Sequence, residues 1–108
     1  MTPVPPRLTP AEVAAALASL PAWRREGDAL AREYVFGDFG EAFAFMARVA
    51  LLAERLDHHP DWRNVWSRVE VHLTTHDAGG ITERDVVLAR EMDRVSVGHR
   101  PPSSARSP

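Results

Sequence analysis

Between Asp38 and Pro60 this chain encodes a helix that is apolar around most of its circumference. Phe39, Phe43, Met46 and Ala50 make one stripe, and Phe45, Val49, Leu52 and Leu56 make another. Glu41, Arg48 and Arg55, spaced by sevens, leave a narrow polar strip. A surface helix of a small monomer is more amphipathic than this. With 108 residues the chain is one small domain, with little material to wrap a helix on every side. Two arrangements accommodate the excess apolar surface. One is a partner subunit, as in a homodimer or homotetramer; the other is cover by the chain's own sheet and neighbouring helices. The oligomer is the expectation.

The helix boundaries are written in cap residues. Thr9-Pro10-Ala11-Glu12 is a capping box with proline at the first helical position, opening a helix that stops before Pro21. Asp38 caps the central helix, with Glu41 three residues on. Thr82-Glu83-Arg84-Asp85 opens a third helix after Gly79-Gly80. Between the first two helices, Trp23 to Gly37 splits at Gly27-Asp28 and reads as a hairpin. Asn64 to Thr75 alternates, with Val65, Ser67, Val69, Val71 and Leu73 on one side and Trp66, Arg68, Glu70, His72 and Thr74 on the other. Broken near Trp66, it supplies two strands. The order is α-β-β-α-β-α, or α-β-β-α-β-β-α with the last region broken near Trp66, and either predicts an α+β domain with helices on one face of an antiparallel sheet.

Residues 1–8 carry Pro3, Pro5 and Pro6 and read as a flexible tail; residues 99–108, with His99, read as a disordered Pro/Ser-rich tail. The folded unit is expected over 9–98. Hydrophobic residues at 44% and charged residues at 26% are ordinary for a soluble domain. A net charge of -2 gives no electrostatic case for nucleic acid as a partner. The absence of cysteine removes disulfides, thiolate nucleophiles and cysteine-ligated zinc. The most apolar stretch, Ala42 to Ala53, is interrupted by Arg48 and is too short to span a membrane. The prolines of the first ten residues do not suit a signal peptide. A soluble, unprocessed, cytoplasmic protein is the expectation.

Chemistry concentrates where the central helix ends. Pro60 biases His59 away from helical geometry, so the helix ends near His58 and both histidines project into a loop. Glu54 lies one turn before His58, placed to fix that ring's tautomer. His76 ends the last strand region, on the face opposite the core or at a turning point of the chain. On the third helix Ile81, Asp85, Leu88, Met92 and Val95 share one face, which puts a carboxylate in an apolar stripe. A buried charge must be paired or neutralised. Asp85 either completes the Thr82 capping box or serves a histidine. His72 reads as a residue of an open strand face.

The pattern Glu54-x-x-x-His58-His59-Pro60, then Trp62 and Trp66, then Thr74-Thr75-His76-Asp77-x-Gly79-Gly80-Ile81-Thr82-x-x-Asp85 resembles the pterin-4a-carbinolamine dehydratase family. The resemblance spans residues 9 to about 97. It implies a four-stranded antiparallel sheet with three helices packed on one face, in the order α-β-β-α-β-β-α, a homodimer or homotetramer, and a hydro-lyase that uses neither metal nor organic cofactor. It implies a pterin as the small-molecule substrate. 4a-Hydroxytetrahydropterin would be dehydrated to quinonoid dihydropterin, the recycling step after an aromatic amino-acid hydroxylase. Loss of the 4a-hydroxyl needs an acid for the leaving oxygen and a base for the N5 proton, and histidine suits either. Carried over, His58 and His76 resemble the acid–base pair and His59 a positioning group. Asp85 would orient a histidine, and Glu54 would support His58. Asp57 to His59 and Thr74, Thr75, His76 and Asp77 would bind the pyrimidine edge. Trp62 would be an apolar wall or a core residue.

Two other readings remain open at the level of sequence. His58, His59, His76 and Asp85 are chemically sufficient for a metal-dependent hydrolase, although no usual metal motif is present. A non-catalytic assembly module of the same fold is the other, and it would be expected to lack these histidines.

Overall fold

The computed structural model describes residues 3–98. The chain runs α1 (Pro10–Ala18), β1 (Arg24–Glu26), β2 (Ala29–Val35), α2 (Phe39–Leu56), β3 (Asp61–Val65), β4 (Arg68–Leu73), a 3-10 turn (His76–Ala78) and α3 (Glu83–Gly98). The strands form one antiparallel sheet in the order β1-β2-β4-β3. This is the α+β architecture expected from the cap and alternation pattern. The disordered tail expected over 99–108 falls outside the described residues.

Each helix starts where its cap is written. Thr9 Oγ1 accepts from the Glu12 amide at 3.1 Å while the Glu12 carboxylate accepts from the Thr9 amide at 2.8 Å. Asp38 accepts from the Glu41 amide at 2.8 Å. The Glu41 carboxylate reaches back to the Gly37 amide at 3.3 Å. α1 ends at Ala18, earlier than Pro21 would require, because the chain turns so that Leu20 is buried in the core.

The core lies between the sheet and the helices. Leu30, Tyr34, Val69, Val71 and Leu73 of the sheet pack with Phe45 and Val49 of α2 and with Leu88 and Met92 of α3. Phe45 sits 4.6 Å from the Tyr34 ring and 5.0 Å from the Phe36 ring, and it is fully buried. Truncating a side chain so placed costs about 3–5 kcal/mol. The other sheet face is charged, and its pairs are cross-strand: Glu33 with Arg68, Arg63 with Glu70, and His72 with Glu26 at 2.9 Å. His72 thus occupies the open face expected of it.

A polar cluster ties this sheet to α3. Asp93 Oδ1 accepts from Trp23 Nε1 at 2.9 Å, Arg32 Nη1 at 2.6 Å and Tyr34 Oη at 2.5 Å. The Arg32 guanidinium also lies 3.9 Å from the centre of the Tyr34 ring. Burial, then the bond to Asp93, pushes the Tyr34 phenol far above its ordinary value.

One expectation needs correction. The alternation from Val65 to Leu73 does not run through a single register. Trp66 and Ser67 form a tight turn, with Trp66 in the left-handed region at φ 51° and Asn64 Nδ2 donating to the carbonyls of Trp66 and Arg68. Val65 therefore pairs with Arg68 and turns to the open face, whereas Val69, Val71 and Leu73 face the core. A two-residue turn resets the parity that an unbroken strand would have kept.

Residues 3–8 form neither helix nor strand, yet they are held at defined points. The Leu8 amide donates to the Ile81 carbonyl at 2.8 Å, and Arg84 Nη2 donates to the Pro3 carbonyl at 2.8 Å.

Candidate active site

α2 ends at Leu56, and Asp57 follows it in the left-handed conformation at φ 53°, its amide bonded back to Ala53 and Glu54. This cap turns the chain sharply. His58 is directed inward as a result, while His59 stays at the surface. His58 Nε2 meets Asp85 Oδ1 at 2.5 Å; the His58 side chain is 11% exposed and that of Asp85 0%.

Asp85 is buried but fully partnered. Its Oδ2 accepts from Thr75 Oγ1 at 2.9 Å and from the Thr82 amide at 2.9 Å. Thr75 Oγ1 and Thr82 Oγ1 are 2.7 Å apart, and the Arg84 amide donates to Thr82 Oγ1 at 3.2 Å. One set of hydrogens satisfies all of these: Thr82 donates to Thr75, and Thr75 donates to Asp85. An ionised carboxylate can only accept, so with Asp85 in that form the hydrogen of the His58 contact sits on Nε2. Nδ1 is then the acceptor of the neutral ring. Asp85 thus accepts from the amide of Thr82 at the start of α3 and contacts the His58 ring at once.

His76 does not close a strand. β4 ends at Leu73, Thr75 and Gly80 pair as an isolated bridge, and His76 opens the 3-10 turn that this bridge encloses. Thr75 points inward to Asp85, and His76 is exposed. Thr74 Oγ1 donates to the Asp28 carbonyl at 2.6 Å, fastening the same segment to the β1–β2 hairpin.

Asp57, His58, His59, Thr74, Thr75, His76, Asp77 and Arg84 line one groove of about 400 Å³. Every loop residue singled out in the sequence on either side of the two histidine segments is thus brought to one place. Two expected members stand elsewhere. Glu54 does not meet His58; its Oε1 lies 3.1 Å from Nε2 of His59, because His58 has turned inward to Asp85. Both partners of that pair are exposed, so it contributes little to stability. Trp62 pairs with Val71 and packs half-buried against the core, away from the groove lining. Arg84 was missed. The only sequence signal for it is a cation in the first turn of a helix whose cap already serves the site. Among the described residues, no three His, Asp or Glu side chains converge as donors for a metal ion. No described helix is long and apolar enough to cross a membrane.

The chain is similar to known proteins along most of its length. The family model described as pterin 4 alpha carbinolamine dehydratase matches residues 6–95. A Rhodopseudomonas palustris protein named "Putative pterin-4-alpha-carbinolamine dehydratase" is 61% identical over 92 residues, covering 83% of this chain and 91% of the relative. A relative of the same name from Rhizorhabdus wittichii is 53% identical, covering 82% of this chain and 94% of its own. The crystal structure of a transcriptional coactivator/pterin dehydratase from Brucella melitensis superposes with TM-score 0.81 at 46% identity, over 82% of this chain and 97% of that one. A pterin dehydratase-like protein identified as a RuBisCO assembly factor in the alpha-carboxysome shares the fold, with TM-score 0.60 at 24% identity over 69% of this chain and 89% of its own.

Proposed function

The chain belongs to the pterin 4 alpha carbinolamine dehydratase family, and on that premise we propose that it dehydrates 4a-hydroxytetrahydropterin to quinonoid dihydropterin by histidine acid–base catalysis. The observation that carries this reading is the groove itself, which gathers His58, His59 and His76 around one space with Asp85 buried behind His58.

The chemistry is the loss of one water. A protonated imidazole gives its proton to the departing 4a-oxygen, the carbon–oxygen bond breaks, and a neutral imidazole takes the N5 proton. Substrate leaves as dihydropterin plus water, and the two histidines have exchanged protonation states. His58 and His76 are the pair, each worth ~10²–10⁴-fold. Asp85 keeps the His58 ring in one tautomer. His59, with Glu54 beside it, positions substrate. Asp57, Thr74, Asp77 and Arg84 offer hydrogen-bonding groups for the pyrimidine edge of the pterin.

We place the reaction in the cytoplasm, after an aromatic amino-acid hydroxylase whose product is this substrate. We also propose that the protein self-associates through α2. Phe39, Phe43 and Leu51 are 51%, 58% and 74% exposed, and the rings of Phe39 and Phe43 lie 5.9 Å apart. With Leu56 at 38%, these are the large apolar side chains of α2 left exposed, and their burial against a second copy supports the reading.

The test is the decay of 4a-hydroxytetrahydropterin followed with and without protein. Wild type is expected to accelerate it, and His76→Ala to remove most of the acceleration. A wild-type rate equal to the uncatalysed background ends the dehydratase reading.

A further inference from the structure

We propose that Arg7 is a positioning residue for His76, acting through the Gly79–Gly80 turn that closes the loop on which His76 stands. The proposal rests on the acid–base reading of His76. Among the described residues no hydrogen bond reaches the His76 ring, whereas His58 and His59 each have a carboxylate partner. The direction of His76 is therefore set by its backbone. That backbone is a short closed loop: the Thr75 amide donates to Gly80 at 2.9 Å, the Gly80 amide returns to Thr75 at 3.3 Å, and the Gly79 amide donates to the His76 carbonyl at 3.0 Å.

Arg7 grips this loop from outside. Its Nη1 donates to the Gly79 carbonyl at 3.1 Å. Its aliphatic stem lies so close to Gly80 that a Cβ there would come within 2.6 Å of Arg7 Cδ and 3.3 Å of Cγ. The next residue fixes the register, because Leu8 bonds the Ile81 carbonyl and packs against the core. Two different glycine requirements follow. Gly79 is glycine because its φ is +76°. Gly80 has no such φ, and the space its side chain would fill is taken by Arg7. An arginine suits the place: a long apolar stem to cover the glycine and a donor at its end for the carbonyl. Lysine keeps the stem and one donor.

The experiment compares wild type, Arg7→Ala, Arg7→Lys, Gly80→Ala and the double variant Arg7→Ala/Gly80→Ala. Kinetics of the pterin dehydration are measured alongside the His76 ring resonance in ¹H–¹³C NMR without substrate. Displacement of a reacting group costs on the order of 10–100-fold. Arg7→Ala is expected to lower kcat by that amount, with KM changed less than about threefold. Arg7→Lys is expected to restore most of kcat. Gly80→Ala is expected to match Arg7→Ala, and the double variant to be no worse than Arg7→Ala, since the clash is gone. The His76 resonance is expected to shift or broaden in Arg7→Ala while that of His59 stays. A wild-type kcat in Arg7→Ala, or an unmoved His76 resonance, overturns the proposal. If wild-type protein shows no acceleration, the dehydratase reading falls and the His76 resonance alone decides the role of Arg7.

Discussion

His58 and Asp85 stand 27 residues apart in the chain and 2.5 Å apart in the fold. Their contact joins the end of α2 to the first turn of α3. Asp85 meets the Thr82 amide, the Thr75 hydroxyl and the His58 ring together. The same buried carboxylate thus accepts from the residue just before α3 and from Thr75 at the start of the His76 loop, and meets an imidazole.

Asp85→Asn separates these duties. Its single oxygen is retained by Thr75 and the Thr82 amide, which turns the new NH₂ toward His58 and forces Nε2 to accept. The tautomer is reversed while the shape is kept. kcat is expected to fall by about 10²–10⁴-fold, as for a triad carboxylate changed to amide. Urea unfolding is expected to show a loss of about 1–3 kcal/mol. Wild-type kcat in this variant would remove Asp85 from the mechanism.

The two histidines differ in what else they do. His58→Ala leaves Asp85 Oδ1 buried without its partner and is expected to cost about 1–3 kcal/mol of stability along with activity. His76→Ala, at an exposed position, is expected to lose activity with stability unchanged to within about 0.5 kcal/mol. Thermal unfolding of both variants beside the decay assay checks the contrast. Equal destabilisation of the two would contradict the packing described for them.

Tyr34 is the chain's single tyrosine, so its ionisation is read directly by ultraviolet absorbance. Burial and Asp93 raise its folded pKa above the unfolded value of about 10. A group raised in this way contributes stability that is complete below the unfolded pKa and is lost as pH rises beyond it. The expected titration shows no phenolate near pH ~10 in the folded protein, with ionisation arriving together with alkaline unfolding. A free phenol titrating at its ordinary value in folded protein would show that the Asp93 cluster does not hold it.

Phe43→Asp with Leu51→Asp puts charge on the uncovered face of α2. Wild type is expected to scatter light as an oligomer, and the double variant near the 12.0 kDa of one chain with its fold intact. A wild-type mass already at the monomer value would refute self-association.

Much of this was written locally. Helix starts are encoded by Thr9, Asp38 and Thr82 because a cap depends on residues within one turn. The hairpin at Gly27-Asp28 and the end of the central helix near His58, before Pro60, were legible for the same reason: turn chemistry and proline are short-range signals. The segments 57–59 and 74–77 were singled out by family resemblance. Asp85 was visible as a charge in an apolar stripe, since helical periodicity alone sets which residues share a face.

What the tertiary structure decided are the pairings that span the chain. Sequence spacing assigned Glu54 to His58, but the left-handed Asp57 turned His58 inward and left Glu54 to His59. It left Trp62 as a groove wall or a core residue, and the register with Val71 sent that ring to the core. Val65 changed faces because a two-residue turn reset the strand. Arg7 over Gly80 had no local signature, and Arg84 in the groove had only its place as a cation in the first turn of α3. Periodicity fixes which way a side chain leaves its own element; which other element it meets depends on how the backbone turns between them, and only the packed fold supplies that.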